Sequence, residues 1–378
     1  MRWPAAWKGV PGAELLDGTA IEAIDPTAPG PDVTIAKGVW PGVRMSRRGA
    51  DADAGPTGVA WVDSNTWLAR LTAVRHPGTV WIDAPPDANR APRPHQYLVT
   101  MADAAAGGAR WLISLDDALA AGVARREPRA LAAWKQIGAA SRFFAEHPNW
   151  ATWAPEAVVG VISDFAGGNE FMGQELLNLL DRAGQHFRIL LKNRLTAGSL
   201  TGLRALLYAD QEPPPADLRK QVLAFVESGG VLITVPAWGE TPGKPAGAAA
   251  VPGYSGRVLG KGRVIVANAA PDDPYVLAND SVVLVSHRYD LVRCWNSGAV
   301  SSYFTIAPDR ARAAVQLLFY ADRGPDAASV RVVGRWRKAA ISTIEDPAPR
   351  PVKLEPQKDA VEVYLPQVSQ YVALQLEG

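Results

Sequence analysis

Carboxylates and tryptophans fall together at three places in the first part of this chain. Trp61-Val62-Asp63-Ser64-Asn65, Trp81-Ile82-Asp83-Ala84-Pro85 and Trp111-Leu112-Ile113-Ser114-Leu115-Asp116-Asp117 are each a short apolar run that stops at acidic or amide residues. Cleaving a glycosidic bond needs two carboxyl groups, about 5 Å apart for retention or about 6.5–9.5 Å for inversion, one protonated and one ionised. Tryptophan rings offer large apolar faces with one polar handle, which suits stacking against a sugar. Asp83, Asp63 and Asp116 are therefore the candidate catalytic carboxylates. Trp40, Trp61, Trp81, Asn65 and Glu170 are the candidate substrate contacts. The competing reading makes each Trp a core residue and each Asp the cap of the next helix. Capping suits Asp117, ahead of Ala118-Leu119-Ala120, and Asp63, beside Ser64 and Asn65. It suits Asp83 least, because Ala84-Pro85-Pro86 is a rigid extended turn where no helix begins.

Such residues need strands to carry them. Parallel strands buried on both faces read as unbroken apolar runs, and the residues past their carboxyl ends line the site of a β/α barrel. Residues 1–150 alternate strand and helix signals: strands at Ala20–Ile24, Val33–Gly38, Val59–Val62, Val80–Ile82 and Trp111–Leu115, helices at Thr66–Val74, Gln96–Ala106 and Pro128–Glu146. About five strands stand where a closed barrel has eight, so the expectation is a partial or degenerate TIM-like barrel. Trp40 sits in the loop Gly38-Val39-Trp40-Pro41-Gly42, as a sugar platform or a loop anchor. Lys37, Arg44, Arg47 and Arg48 form a basic patch nearby, either solvated or suited to acidic sugars.

Residues 151–288 read as a doubly wound α/β domain of flavodoxin-like type. Val158–Ile162, Phe187–Leu191, Ala205–Tyr208 and Val231–Val235 are strand-like, and Met172–Asp181 and the segment after Pro215 carry apolar residues at helical spacing. Gly229-Gly230 stops the second helix, and Gly260-Lys261-Gly262 turns a hairpin. Residues 289–378 are short alternating runs with polar turns, among them Ser302–Ile306, Ala314–Tyr320, Ser329–Val333, Ala360–Leu365 and Tyr371–Leu376. That spacing predicts a small β-sandwich.

The 378 residues carry a net charge of +1, which gives no reason to expect nucleic acid or an anionic membrane as a partner. No apolar run approaches the roughly 20 residues of a membrane helix. Met1-Arg2-Trp3-Pro4 leads straight into polar sequence, so the expectation is a cytoplasmic protein or the mature part of a secreted one. One cysteine, Cys294, and five scattered histidines predict neither a disulfide framework nor a metal site, and no cofactor motif is present. The expected partner is a carbohydrate.

In this order of modules the chain resembles the β-galactosidases of glycoside hydrolase family 42 and the glycosidase-like bacterial proteins around them. The middle stretch carries the nearest local matches, looking like the class I glutamine amidotransferase-like, trimerisation-type domain of that family. These are Val159-Gly160-Val161-Ile162-Ser163-Asp164-Phe165, Glu175-Leu176-Leu177-Asn178-Leu179-Leu180 and Val226-Glu227-Ser228-Gly229-Gly230-Val231-Leu232-Ile233. The segment from Gly55 to Asn65 is similar to the glycosidase-like group. The resemblance implies a glycosidase-like activity and a homo-oligomer held by the middle domain. Two departures limit it. The turn Pro236-Ala237-Trp238-Gly239 has no thiol, so glutaminase chemistry is not expected. The family's catalytic Glu pair has no counterpart, because Asn169-Glu170 falls in the middle stretch. A non-catalytic carbohydrate-binding or assembly protein with a decayed barrel is the alternative.

Overall fold

Among the described residues, parallel pairing in the first stretch joins three strands. The computed structural model describes residues 1–16, 19–44, 46–48, 51–53, 61–86, 91–247, 249–321 and 324–378. The expected strand start at Val59 and parts of the loop to Thr57 lie outside them, as do the side chains of Arg44, Arg47, Arg48 and Trp61. The chain divides into two compact units, Met1–Ala154 with Cys294–Gly378, and Pro155–Arg293.

In the first unit Thr79–Asp83 is the middle strand, parallel to Val33–Lys37 on one side and to Arg110–Trp111 on the other. Val80 and Ile82 point into the core, at 2% and 0% exposure, while Trp81 and Asp83 alternate to the other face. Two expected barrel strands differ. Trp61–Asp63 pairs antiparallel with Gly42–Arg44 and is not part of the parallel sheet. Ala20–Ile24 forms no strand; isolated bonds hold it, from Ser141 Oγ to the Ala20 carbonyl and from the Ile24 N–H to the Met1 carbonyl. Among the described residues no sheet closes into a barrel.

Helix Thr66–Arg75 follows Asn65, and helix Pro94–Ala106 starts on a proline whose missing N–H costs nothing at that position. Helix Pro128–Glu146 begins the same way and buries Ala133, Trp134, Ile137, Ala140 and Phe143 along one face. That face packs on the buried Trp7, whose ring meets Trp134 edge to face at 5.3 Å. The later β segment joins this core. Val300–Ile306, Arg312–Phe319 and Tyr371–Glu377 are neighbouring antiparallel strands, and Tyr303, Ala314, Leu318, Tyr320 and Tyr371 share one apolar cluster with Trp7 and Trp134. Ala327–Val333 and Ala360–Pro366 pair antiparallel in another sheet, each burying alternate residues.

The second unit is built on a seven-stranded sheet. Phe187–Leu191, Val159–Ser163, Ala205–Tyr208, Val231–Thr234 and Gly262–Ala267 lie side by side in that order and run parallel. Tyr254–Leu259 adds antiparallel to the last of them through the turn at Gly260, whose φ of +57° suits glycine. The first strand in sequence therefore lies between the second and third, and the direction of winding reverses there. Among the described residues no helix is long and apolar enough to cross a membrane.

Candidate functional site

Asp83 ends the central parallel strand of the first unit, where that architecture places functional groups. The Arg2 guanidinium donates to its Oδ2 at 2.8 Å, and the Asp83 side chain is 18% exposed. Its Oδ1 is buried and accepts no hydrogen bond. Trp81, two residues earlier on the same face, has a buried indole N–H that also lacks a partner, and Arg110 lies 5.8 Å from its ring centre. Unmatched buried polar atoms are rare, because each forfeits hydration without return.

Asp116 has another job. Its Oδ1 accepts the N–H groups of Ala118 and Leu119 at 3.0 Å, capping helix Asp117–Ala124. The Tyr97 hydroxyl donates to its Oδ2 at 2.5 Å. Burial and the Asp116 carboxylate hold the Tyr97 phenol well above the usual tyrosine range, so it remains a donor. Expected as a catalytic carboxylate, Asp116 is thus engaged at both oxygens. Asp63 is half-buried in its antiparallel strand, opposite Gly42, and makes interactions of its own. The three carboxylates therefore do not end consecutive parallel strands, because only Asp83 occupies that position.

Trp40 is half-buried and lies edge-on to Tyr97 at 5.4 Å and to Trp111 at 5.7 Å. The backbone that carries it is gripped by Asn65, which is 1% exposed. The Asn65 amide accepts from the Val39 N–H and donates to the Val39 carbonyl and to Asp103 Oδ2, at 2.8, 2.8 and 3.0 Å. Expected as a substrate contact, Asn65 instead positions the Trp40 loop. Asp103 is wholly buried and accepts from Ser64 Oγ at 2.9 Å, the Asn65 N–H at 2.8 Å and the Tyr320 hydroxyl at 2.7 Å. Glu170 belongs to the second unit, exposed in the first turn of helix Glu170–Arg182, where Gln174 donates to it at 3.3 Å.

The second unit has a charged centre of its own at the carboxyl ends of its parallel strands, beside the reversal of strand order. Open α/β sheets bind ligands at that point. Lys192, next after Phe187–Leu191, reaches Asp164 at 2.8 Å and Asp210 at 2.6 Å. Ser163 Oγ donates to Asp210 Oδ1 at 2.6 Å, and Asn169 Nδ2 donates to Glu212 at 3.0 Å. Burial alone would lower the lysine, yet Asp164 and Asp210 outweigh it and hold the ammonium above the usual lysine range. The crevice is occupied by the protein's own ion pairs. Lys192 and Asp210 were missed in the sequence, although strand ends at Leu191 and Tyr208 were legible and the rule about carboxyl ends would have marked both. Arg2 and Asp103 gave no signal, since their partners come from distant segments.

Burial pushes the Cys294 thiol up to about 12, so it offers no thiolate near neutral pH. Among the described residues no group of three His, Cys, Asp or Glu side chains could hold a metal ion.

No protein-family model matches the chain, and no curated protein matches it in sequence. Solved structures do match in fold. An α-L-fucosidase isoenzyme 2 from Paenibacillus thiaminolyticus superposes with a TM-score of 0.55 at 12% identity, over 82% of this chain and 62% of that one. A GH42 β-galactosidase from G. stearothermophilus gives 0.54 at 11%, over 84% and 57%. A β-galactosidase from Bacillus circulans sp. alkalophilus gives 0.55 at 10%, over 82% and 61%. The chain spans less than two thirds of each of these proteins. It has a mixed α/β, glycosidase-like fold. Identity this low speaks for the fold and not for a family.

Proposed function

We propose that this is a carbohydrate-active protein of glycosidase-like fold, with Asp83 as its functional carboxylate and Trp81 and Trp40 as sugar-facing aromatics. One observation carries the reading: Asp83 Oδ1, at the end of the central parallel strand, is buried without a hydrogen-bond donor. A protein that leaves a carboxylate oxygen unmatched gives up about 1–3 kcal/mol. A substrate hydroxyl brought to that oxygen restores that loss. The fold-level likeness to glycosidases agrees in kind, though analogy of fold is a weaker argument than the site.

A second reading is favoured by Asp116. With that residue spent on a helix cap, one of the two carboxylates expected beside Asp83 is committed to protein, and hydrolysis needs two carboxyl groups. Binding a carbohydrate without cleaving it needs only one. Chromogenic glycosides assayed beside calorimetric titration with the same sugars separate the readings. Under the first, Asp83→Asn lowers turnover by orders of magnitude while the melting temperature holds. Under the second no glycoside is cleaved, and Asp83→Asn weakens binding. Wild-type cleavage and binding in Asp83→Asn would remove this residue from both.

A further inference from the structure

Trp40 stands two residues past the point where its loop is fastened to Asp83. The Gly38 N–H donates to the Asp83 carbonyl at 2.9 Å, and Asn65 then takes both polar backbone groups of Val39 at 2.8 Å. The Trp40 ring meets Tyr97 and Trp111 edge-on, and Trp111 Nε1 donates to the Ala84 carbonyl at 3.1 Å, one residue beyond Asp83. The placing of Trp40 against Asp83 thus rests on these aromatic contacts and on the Asn65 amide.

A carboxylate orients that amide. Turned over, Asn65 would set Oδ1 against two acceptors, the Val39 carbonyl and Asp103 Oδ2. Asp103 Oδ2 accepts from Asn65 twice, from its N–H at 2.8 Å and from Nδ2 at 3.0 Å. Oδ1 accepts from Ser64 Oγ at 2.9 Å, from Thr66 Oγ1 at 3.3 Å and from the Tyr320 hydroxyl at 2.7 Å. Ser64, Asn65 and Thr66 are consecutive, so a carboxylate held by them alone can turn with the segment it orients. Tyr320 comes from elsewhere. It follows strand Arg312–Phe319, and its N–H donates to the Ala299 carbonyl at 3.0 Å. Its hydroxyl gives the carboxylate a reference outside residues 64–66.

We propose that Tyr320 is a positioning residue for the carbohydrate site: through Asp103 and Asn65 it sets Trp40 relative to Asp83. The inference rests on the carbohydrate reading for what Trp40 does, but the relay itself is a hydrogen-bonded path that can be tested without any sugar.

Hydrogen exchange at the Val39 amide, whose acceptor is Asn65 Oδ1, reads the relay directly. Tyr320→Phe keeps the ring in its apolar cluster and should speed that exchange at least tenfold, leaving the Leu112 amide, bonded to Ile82, unchanged. If Tyr320→Phe does not fold, Ser64→Ala, which takes another donor from Oδ1, carries the same test. Tyr371 is the control. It lies on the neighbouring strand and donates to Gln316 at 2.9 Å, so Tyr371→Phe loses a buried hydroxyl of the same sheet and should leave Val39 as it is. The p-nitrophenyl glycosides of the common pyranoses, assayed for cleavage and titrated for binding, then connect the relay to the site. Tyr320→Phe should raise KM or Kd at least fivefold with kcat within twofold of wild type. In an Asn65→Ala background the same change should have no further effect. Wild-type exchange at Val39 in Tyr320→Phe would overturn the proposal. So would equal acceleration in Tyr371→Phe, or faster exchange with KM and Kd unaltered. A wild-type protein that neither binds nor cleaves these glycosides would remove the carbohydrate reading, and Val39 exchange would still decide whether Tyr320 holds the loop.

Discussion

Asn65 holds Val39 by both halves of its amide: Oδ1 accepts the Val39 N–H and Nδ2 donates to the Val39 carbonyl, each at 2.8 Å. One side chain thereby satisfies both backbone polar groups of a loop residue, and Trp40 is the next residue along. The fit is close, since a Cβ on Gly38 would run into Asn65 Oδ1 and come within 2.6 Å of Ile82 Cγ2.

Gly38→Ala should therefore overpack the loop and cost about 1–3 kcal/mol. Asn65→Ala should cost about 2 kcal/mol by stranding Val39 and removing a donor from Asp103. Urea denaturation measures both. Stabilities within 0.5 kcal/mol of wild type, the spread of about ±0.5 expected at uninvolved surface sites, would show that the clamp contributes nothing.

Asp116→Ala removes two backbone caps and the acceptor of the Tyr97 hydroxyl. The loss should be about 2 kcal/mol, and Asp116→Asn, which still caps, should lose less. Thermal unfolding of the two variants gives the ordering. Equal melting temperatures for Asp116→Ala and wild type would contradict the capping role.

Lys192→Met leaves Asp210, whose side chain is 3% exposed, with Ser163 as its remaining named partner. Removing one member of a buried pair costs about 3–5 kcal/mol. Adding Asp210→Asn should return a good part of that, with a coupling above about 1 kcal/mol in a double-mutant cycle. Additive losses would mean the pair acts as two separate surface charges.

Acid should weaken the same centre through Asp164. Burial raises its carboxyl, but Lys192, Asn169 and the Ala166 N–H outweigh burial and hold it below the usual carboxylate range. A depressed folded value gives stability that is full above the unfolded value, about 3.9, and is lost as pH falls through the folded one. Asp210 runs the other way, since burial raises it, so its contribution falls as pH climbs from the unfolded value. The stability gap between wild type and Asp164→Asn should thus be widest near neutrality and narrow below about pH 4. Urea midpoints across pH 3 to 7 show whether it does.

Periodicity made the regular elements legible. Leu176, Leu177, Leu179 and Leu180 announced helix Glu170–Arg182, and the alternation of Val361, Val363 and Leu365 announced one-face burial in Ala360–Pro366. Strand direction was not legible. Trp61–Asp63 and Thr79–Asp83 have the same pattern of apolar residues ending in Asp, yet one pairs antiparallel and the other parallel. Pairing depends on a distant partner, here Gly42–Arg44, that no local window contains. The same holds at the site. Asp83 stood out because Ala84-Pro85-Pro86 cannot begin a helix, whereas Asp116 could be separated from it only by seeing its two caps. Asn65 read as a ligand contact because its type suits one, and only the geometry showed both its amide groups committed to protein.

The second unit interrupts the first, and this fixes an order of assembly on the ribosome. Pro155–Arg293 is continuous, so its parallel sheet can form as soon as those residues emerge. The first unit cannot finish then, because the Tyr320 hydroxyl that completes the buried Asp103 lies 217 residues further along. Its early half must wait, with the strand that brings Tyr371 against Phe143 still unmade. During synthesis residues 1–154 therefore become protease-resistant after Pro155–Arg293, although they leave the exit tunnel before it.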